Sequence, residues 1–180
     1  MSRAGAIVLA AHQTEQLKKL ILETDKGPRK HGVINRKYVG KDAAVILKDA
    51  GIPCPPDKRL ALCEVDADHA FLWTELMMPV LPLVRMRHVD EAIDFAIEVE
   101  HGYRHTASMH SRNIDKLHRM ARACDCSIFV KNGPNAAGLG WNGEGPTSFT
   151  IASPTGEGMT TAKSFTRIRR CTLVDRFRIV

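Results

Sequence analysis

The sequence predicts an α/β fold built mainly on parallel strands, and two features carry that prediction. Between residues 60 and 131 the apolar residues switch between the period of a strand and that of a helix, in the order β-β-α-β-α-β. The last of these strands leads into residues 132–146, which hold five glycines and two prolines in fifteen positions. Because ligands bind at the carboxyl edge of parallel sheets, we expect a binding loop there.

Ahead of residue 60, the pattern predicts one strand and two helices. The strand spans 5–10, and a leucine stripe predicts a helix over 13–23. A glycine- and proline-containing run, 26–32, ends that helix. The second helix spans 41–49 and ends before Gly51.

The region after residue 60 supplies the predicted core. Strands are expected at 60–65, 80–86, 105–110 and 127–131, all in one sheet, with amphipathic helices at 89–100 and 112–124 packed on it. Beyond the glycine-rich loop, alternation of apolar and polar residues predicts antiparallel strands at 147–152, 165–173 and 177–180, with a turn at 154–158.

Composition restricts the class of protein. The chain has 180 residues, 44% of them hydrophobic and 26% charged, as expected of one soluble globular domain. No apolar run is long enough to cross a membrane. The five cysteines are odd in number and form no CxxC or Cys/His pattern, so we expect a reducing compartment, the cytoplasm, and no metal site.

The net charge of +6 comes mainly from two basic segments, 26–41 and 163–178. Such segments bind nucleic acid or phosphate groups in some proteins, but few aromatic residues interleave with these. No nucleic-acid-binding motif occurs in the sequence either. We therefore interpret the basic segments as solvated surface or subunit contact, with no nucleic-acid or membrane partner.

Glu75 is the only charged residue in the apolar run Ala70–Val84. Pro79 and Pro82 fix φ and remove two backbone donors, so this run should be a turn that leads into a strand. A carboxylate in that setting must be solvated, hydrogen-bonded or paired with a ligand. Two interpretations stay open: Glu75 caps the turn, or it accepts hydrogen bonds from ligand hydroxyls in a cleft.

Several stretches occur in an order that matches a known family. They are Thr74–Pro82 (TELMMPVLP), His105–Asn113 (HTASMHSRN), Ser127–Pro134 (SIFVKNGP), Pro154–Gly158 (PTGEG) and the basic terminal strand. Together they resemble the CoA-acylating aldehyde dehydrogenases, in particular the acetaldehyde and propionaldehyde dehydrogenases of bacterial ethanolamine and propanediol utilisation.

The resemblance implies the three-layer catalytic-domain fold of the aldehyde dehydrogenase superfamily. Residues 1–160 would be part of that domain, and residues 161–180 would be C-terminal strands of the oligomerisation sheet. It also implies NAD and CoA as cofactors, with Glu75 accepting hydrogen bonds from the ribose hydroxyls beside the nicotinamide, in a segment that includes Pro79. The residues expected nearest the aldehyde are Asn132, Gly133, Pro134 and Asn135.

The match does not include the family's cysteine nucleophile or its nucleotide-binding domain, which lie upstream of the matching stretches. No cysteine of this sequence occupies the nucleophile's position, so we assign no catalytic residue and expect the chain alone to be inactive and to hold its cofactors weakly.

Two functions stay open. The chain is the C-terminal part of an acylating aldehyde dehydrogenase, or it is a non-catalytic assembly partner of full-length subunits. Its partner would be a second copy or a complementary aldehyde dehydrogenase subunit, in the cytoplasm or in a bacterial microcompartment.

Overall fold

The computed structural model describes residues 4–143, 151–152, 158–159, 162–172 and 174. The chain divides into two compact units, Met1–Arg87 and His88–Val180, each with its own secondary structure. The sequence did not predict a division at this point. The expected boundary at residues 160 and 161 concerns a different division, and it stays a prediction.

The first unit alternates short strands with two helices. Its elements are β1 (Ala6–Leu9), α1 (Ala11–Ile21), β2 (Leu22–Thr24), β3 (Val33–Ile34), α2 (Ala43–Asp49), β4 (Leu60–Glu64) and β5 (Val80–Leu83). Strands β1, β4 and β5 form a parallel sheet in that order. This confirms the predicted strands and helices of the first 87 residues, with ends displaced by a few residues.

The core of the first unit lies on one face of this sheet. Leu17 and Ile21 from α1 and Ile46 and Leu47 from α2 are fully buried against it. Together with buried Thr14 in α1 and Ala43 in α2, they follow the three- and four-residue spacing that places side chains on one side of a helix. In strand β4, Cys63 points into the same cluster. Each helix is therefore held by its apolar stripe.

The opposite face of the sheet is apolar but only partly covered. Val8, Leu62 and Leu81 are register partners across the three strands, so they form one row. Leu62 is buried, whereas Val8 is 55% and Leu81 39% exposed. Polar side chains usually cover the solvent face of a sheet, so an apolar row of this kind is a candidate contact surface.

Strands β2 and β3 form a small antiparallel pair that the sequence did not predict. Strand β2 begins directly where α1 ends, and β3 is only two residues long. The pair brings residues 31–34 back alongside the end of α1, where the Asn35 N–H donates to the Ile21 carbonyl at 2.7 Å. This return of the chain determines one wall of the candidate site.

The second unit begins with α3 (Val89–Val99), β6 (Thr106–Met109), α4 (Ile114–Cys124) and β7 (Ile128–Lys131). Strands β6 and β7 are parallel, and Ile128 and Val130 are buried. These four elements confirm the predicted order. The prediction that all four strands lie in a single sheet was wrong, because β6 and β7 pair with each other and not with β4 or β5. Pairing between parallel strands is a long-range choice that local periodicity does not encode.

Ion pairs join the two helices of this unit. Lys116 Nζ lies 2.7 Å from Asp90 Oδ2, and Arg119 Nη2 lies 2.6 Å from Asp94 Oδ1. The hydrogen bond from Lys116 lowers the pKa of the Asp90 carboxyl. All four side chains are partly exposed, so each pair contributes little to stability.

Only part of the C-terminal region is described. Ile151–Ala152 (β8) pairs antiparallel with Gly158–Met159 (β9), as the predicted turn at 154–158 requires. The strand predicted over 165–173 was wrong for its described residues, because Ala162–Phe165 is a 3₁₀ turn and residues 166–172 form no ladder. A strand needs a neighbouring strand, and the described residues provide none beside this segment. Residues 173 and 175–180, including the predicted strand at 177–180, lie outside the described residues.

Within the described ranges, no helix combines the length and apolar character that a membrane crossing requires.

Candidate functional site

Glu75 lies in an irregular segment between a turn and strand β5, as the two prolines predicted. Buried Thr74 and Leu76 flank it, while Glu75 itself is exposed. The apolar neighbours therefore anchor the segment, and the carboxylate is left at the surface. The next residue, Met77, has a φ of 51°, an unusual left-handed value for a non-glycine residue, and it is 57% exposed.

The segment is held by the chain that precedes β3. The Gly32 N–H donates to Thr74 Oγ1 at 3.0 Å, and the Glu75 N–H donates to His31 Nε2 at 3.3 Å. The other ring nitrogen, His31 Nδ1, lies 2.9 Å from the Gly32 carbonyl oxygen. Thr74 is only 5% exposed, so its hydroxyl is a buried acceptor with a definite partner. Two consecutive residues are thus bonded to two others about forty positions away in the chain.

Gly32 allows this close approach. A Cβ there would lie 2.9 Å from the Thr24 carbonyl oxygen and 3.2 Å from Thr74 Oγ1. Both distances are shorter than ordinary contacts of a Cβ atom, so a larger residue would push the two segments apart. The requirement at this position is space, whereas many glycines are needed for a left-handed φ.

Glu75 borders an open groove with a volume of about 740 Å³. The groove is lined by Lys26, His31, Gly32, Val33, Ile34, Arg36, Val39, Glu75 and Met77. Apolar walls with a few polar groups are typical of small-molecule sites. Lys26 and Arg36 are cations, so the groove carries two positive charges beside one carboxylate.

The carboxylate of Glu75 forms no hydrogen bond or ion pair with any other described residue, and the same is true of the Lys26 and Arg36 head groups. Most other charged side chains in this unit are paired; examples are Arg29 with Asp68 and Arg85 with Glu64. Charges at a groove that lack protein partners are available to a ligand. Among the described residues, the Glu75 carboxylate therefore makes no bond that would cap its own turn.

The glycine-rich stretch provides the second set of predicted site residues. It contains a 3₁₀ helix, Asn135–Leu139, with Pro134 at its N-cap. The Asn132 side chain is engaged by the protein: its Oδ1 accepts from the Ser111 N–H at 2.7 Å, and its Nδ2 donates to the Ser111 carbonyl at 3.0 Å. Asn132 therefore fixes the loop. Pro134 and Asn135 are exposed, and Gly133 is half-buried.

Gly138 packs directly on strand β7. A Cβ at this position would lie 2.2 Å from Ile128 Cγ2, which is far inside van der Waals contact. The 3₁₀ helix can therefore lie against the strand only because this residue has no side chain.

Four of the thiols in the described part of the chain are not activated. Burial raises the pKa of Cys54, Cys63, Cys124 and Cys126. A nucleophilic cysteine needs the opposite, a lowered pKa in an electropositive and accessible place. Cys124 and Cys126 flank the end of α4 and are half-buried. Among the described residues, no His, Cys, Asp and Glu side chains form a group that could hold a metal ion.

Comparison with known proteins shows which family the chain belongs to. The model of the aldehyde dehydrogenase family matches residues 60–147, which include Glu75, Pro79 and the Asn132–Asn135 loop. The acetylating acetaldehyde dehydrogenase EutE of Salmonella typhimurium is 53% identical over 180 residues, which is all of this chain and 38% of that protein. The chain belongs to the aldehyde dehydrogenase family.

Solved structures give the same result. Rhodopseudomonas palustris propionaldehyde dehydrogenase with bound propionyl-CoA has a TM-score of 0.83 and 48% identity, covering 96% of this chain and 37% of that one. An engineered glycolyl-CoA reductase with bound NADP⁺ has a TM-score of 0.82 and 48% identity, covering 96% of this chain and 38% of that one. The chain thus spans well under half the length of these CoA-acylating relatives, and it has the α/β fold of that part of them.

Glu75 was predicted as a site residue because it is a lone charge in an apolar run, and its role stays a prediction. Sequence reasoning did not place His31 and Gly32 at the same groove, because 26–32 was interpreted only as the end of a helix. Arg36 was interpreted only as part of a basic segment. A histidine–glycine pair just before a short apolar strand was the available signal.

Proposed function

We propose that this chain is the part of a CoA-acylating aldehyde dehydrogenase that presents Glu75 to the nicotinamide ribose of NAD. The single observation that carries the proposal is the exposed Glu75 carboxylate, which borders a groove and has no partner among the described residues. A carboxylate accepts two hydroxyl hydrogens well, and a hydrogen bond to a charged group contributes about 1.5–3 kcal/mol. Pro79, four residues further along the chain, restricts the backbone of the same segment.

The family reaction converts a short-chain aldehyde, CoA and NAD to acyl-CoA and NADH. In the complete enzyme, a cysteine thiolate adds to the aldehyde, hydride leaves to NAD, and the acyl group passes to CoA. In this proposal Gly133, Pro134 and Asn135 face the aldehyde, while Asn132 holds the loop through Ser111. None of the four thiols with a raised pKa is suited to the nucleophile's task.

The 180-residue chain should therefore give no NADH from NAD, CoA and acetaldehyde or propionaldehyde. Mixing it with the part of a relative that it does not match, which carries the nucleophile, should restore NADH formation. In that mixture, Glu75→Gln should raise the KM for NAD about tenfold or more, from the loss of a charged hydrogen bond. Glu23→Gln, at an exposed position of β2 in the same unit, is the matched control and should leave the KM unchanged.

Two results would contradict this proposal. Equal KM values for Glu75→Gln and Glu23→Gln would remove Glu75 from the site. Turnover by the chain alone that disappears in one Cys→Ser variant would identify a nucleophile where none is expected.

The second candidate is an assembly partner for full-length subunits, in the cytoplasm or in a microcompartment. The apolar row Val8–Leu62–Leu81 favours it, because a partly exposed row of this kind fits a protein contact. Co-sedimentation with a complete relative, without restored turnover in the mixture described above, would favour this candidate. A second copy of the chain is the other proposed partner.

A further inference from the structure

We propose that His31 is a positioning residue for Glu75, and that it performs this role only while its imidazole ring is neutral. The proposal rests on the proposed function, in which Glu75 binds a nicotinamide ribose. It adds a residue and a pH dependence that the family comparison does not provide.

The neighbours of His31 determine where its proton lies. The Gly32 carbonyl oxygen, 2.9 Å from Nδ1, can only accept, and the Glu75 N–H, 3.3 Å from Nε2, can only donate. The ring must therefore donate from Nδ1 and accept at Nε2, which defines one neutral tautomer. Free imidazole does not impose this choice, so the tautomer is a property of the fold.

Protonation removes the acceptor. A charged imidazole carries a proton on both nitrogens, so Nε2–H would face the Glu75 N–H, and two donors cannot bond. The bond to the Gly32 carbonyl is unaffected. As the pH falls, the hydrogen bond between the Glu75 N–H and the ring is therefore lost, while the bond to the Gly32 carbonyl keeps the ring in place.

The rest of the segment remains anchored in either state. Gly32 N–H donates to the buried Thr74 hydroxyl at 3.0 Å, and the Gly40 N–H donates to the Met77 carbonyl at 3.3 Å. Neither bond involves a group that titrates near neutral pH. Protonation of His31 should therefore loosen Glu75 without unfolding the unit, which is the behaviour of a positioning residue.

The charged groups that line the same groove are Lys26, Arg36 and Glu75.

The first test is the tautomer itself, in the intact chain labelled with ¹⁵N. Long-range ¹H–¹⁵N correlation spectra at pH 8 should show His31 protonated at Nδ1, and the Glu75 amide should exchange slowly with solvent. Between pH 8 and pH 5 that amide should shift and lose protection. His31→Gln, whose Oε1 accepts without titrating, should keep the protection at both values, and His31→Phe should lose it at both.

His12→Gln is the matched control, because His12 is an exposed histidine of α1 in the same unit. Its substitution should leave the Glu75 amide unchanged. Circular dichroism and Trp73 fluorescence confirm that each variant is folded. His31 found protonated at Nε2 at pH 8, or Glu75 amides equally protected in wild type and His31→Phe, would overturn the proposal.

The second test uses nicotinamide mononucleotide as the probe, followed by the shifts of the Glu75 amide and its neighbours. Affinity should fall about three- to tenfold from pH 8 to pH 5.5 in the wild type, as expected for one lost hydrogen bond, and should stay constant in His31→Gln. An equal fall in His31→Gln would overturn the proposal. An absence of shifts at either pH, with the expected tautomer and amide behaviour, would instead contradict the nucleotide-binding role of Glu75.

Discussion

Gly32→Ala tests whether close contact between residues 31–32 and 74–75 holds the candidate site together. The added methyl would lie 2.9 Å from the Thr24 carbonyl oxygen, a backbone atom that cannot turn away. Overpacking of this kind costs about 1–3 kcal/mol. Weakening the bond from Gly32 to Thr74 costs about 1 kcal/mol more. The alanine recovers about 0.4–1 kcal/mol through the unfolded chain.

The net destabilisation of the first unit should therefore be about 1–3 kcal/mol. Urea unfolding, followed by tryptophan fluorescence, measures it. Trp73 is 3% exposed in the first unit and Trp141 is 71% exposed in the second, so a Trp141→Phe background leaves Trp73 as the reporter of the first unit. The shift should appear in the midpoint at constant slope.

Two variants at Thr74 complete this test. Thr74→Ser keeps the acceptor hydroxyl and should change the midpoint little, whereas Thr74→Val leaves the Gly32 N–H without its partner and should cost about 1–3 kcal/mol. Because both changes act on one contact, combining Gly32→Ala with Thr74→Val should cost less than their sum. A Gly32→Ala chain as stable as the wild type, or strict additivity, would refute the reasoning.

Three further predictions concern the rest of the chain. The Lys116 ammonium lowers the pKa of the Asp90 carboxyl. The stability advantage of wild type over Asp90→Asn should therefore be complete above the ordinary aspartate pKa of about 3.9 and should shrink as the pH falls below it. Urea unfolding measures this advantage, and equal values at pH 3 and pH 6 would contradict the prediction. Cys63 is fully buried, and burial raises its pKa. Iodoacetamide should therefore label Cys63 only in urea, whereas exposed Cys171 should react in the native chain. Equal labelling rates of the two thiols in the native chain, measured by mass spectrometry, would contradict this prediction. The intact chain should associate through its C-terminal segment and sediment as at least a dimer, with charge pairs that salt weakens. A version that ends at Thr161 should form a smaller assembly. If both versions sediment as monomers at micromolar concentration, the prediction is wrong.

Most of the local structure could be predicted from the sequence, because periodicity is a local signal. Helix α3 and strand β7 follow directly from it. The division of the strands into two sheets could not be predicted, since the parallel pairs join residues that are from about twenty to more than fifty positions apart in the chain. Residues 166–172 form no strand, although their alternating pattern resembles one.

In the candidate site too, local features could be predicted from the sequence and long-range contacts could not. The exposure of Glu75 follows from its neighbours in the sequence, whereas its contact with His31 joins residues 44 positions apart. The ring's role depends on β2 and β3, a pair of strands too short to be recognised by pattern. Long-range contacts between short elements are what sequence reasoning missed here.

The contact between Gly138 and Ile128 has a consequence for how related sequences can vary. A methyl at 138 would lie 2.2 Å from the γ-methyl of Ile128, so the two positions share one fixed volume. A residue larger than glycine fits at 138 only if residue 128 is not branched at Cβ, as with leucine or alanine. Homologues should therefore show the two positions changing together, with glycine at 138 wherever 128 is isoleucine or valine.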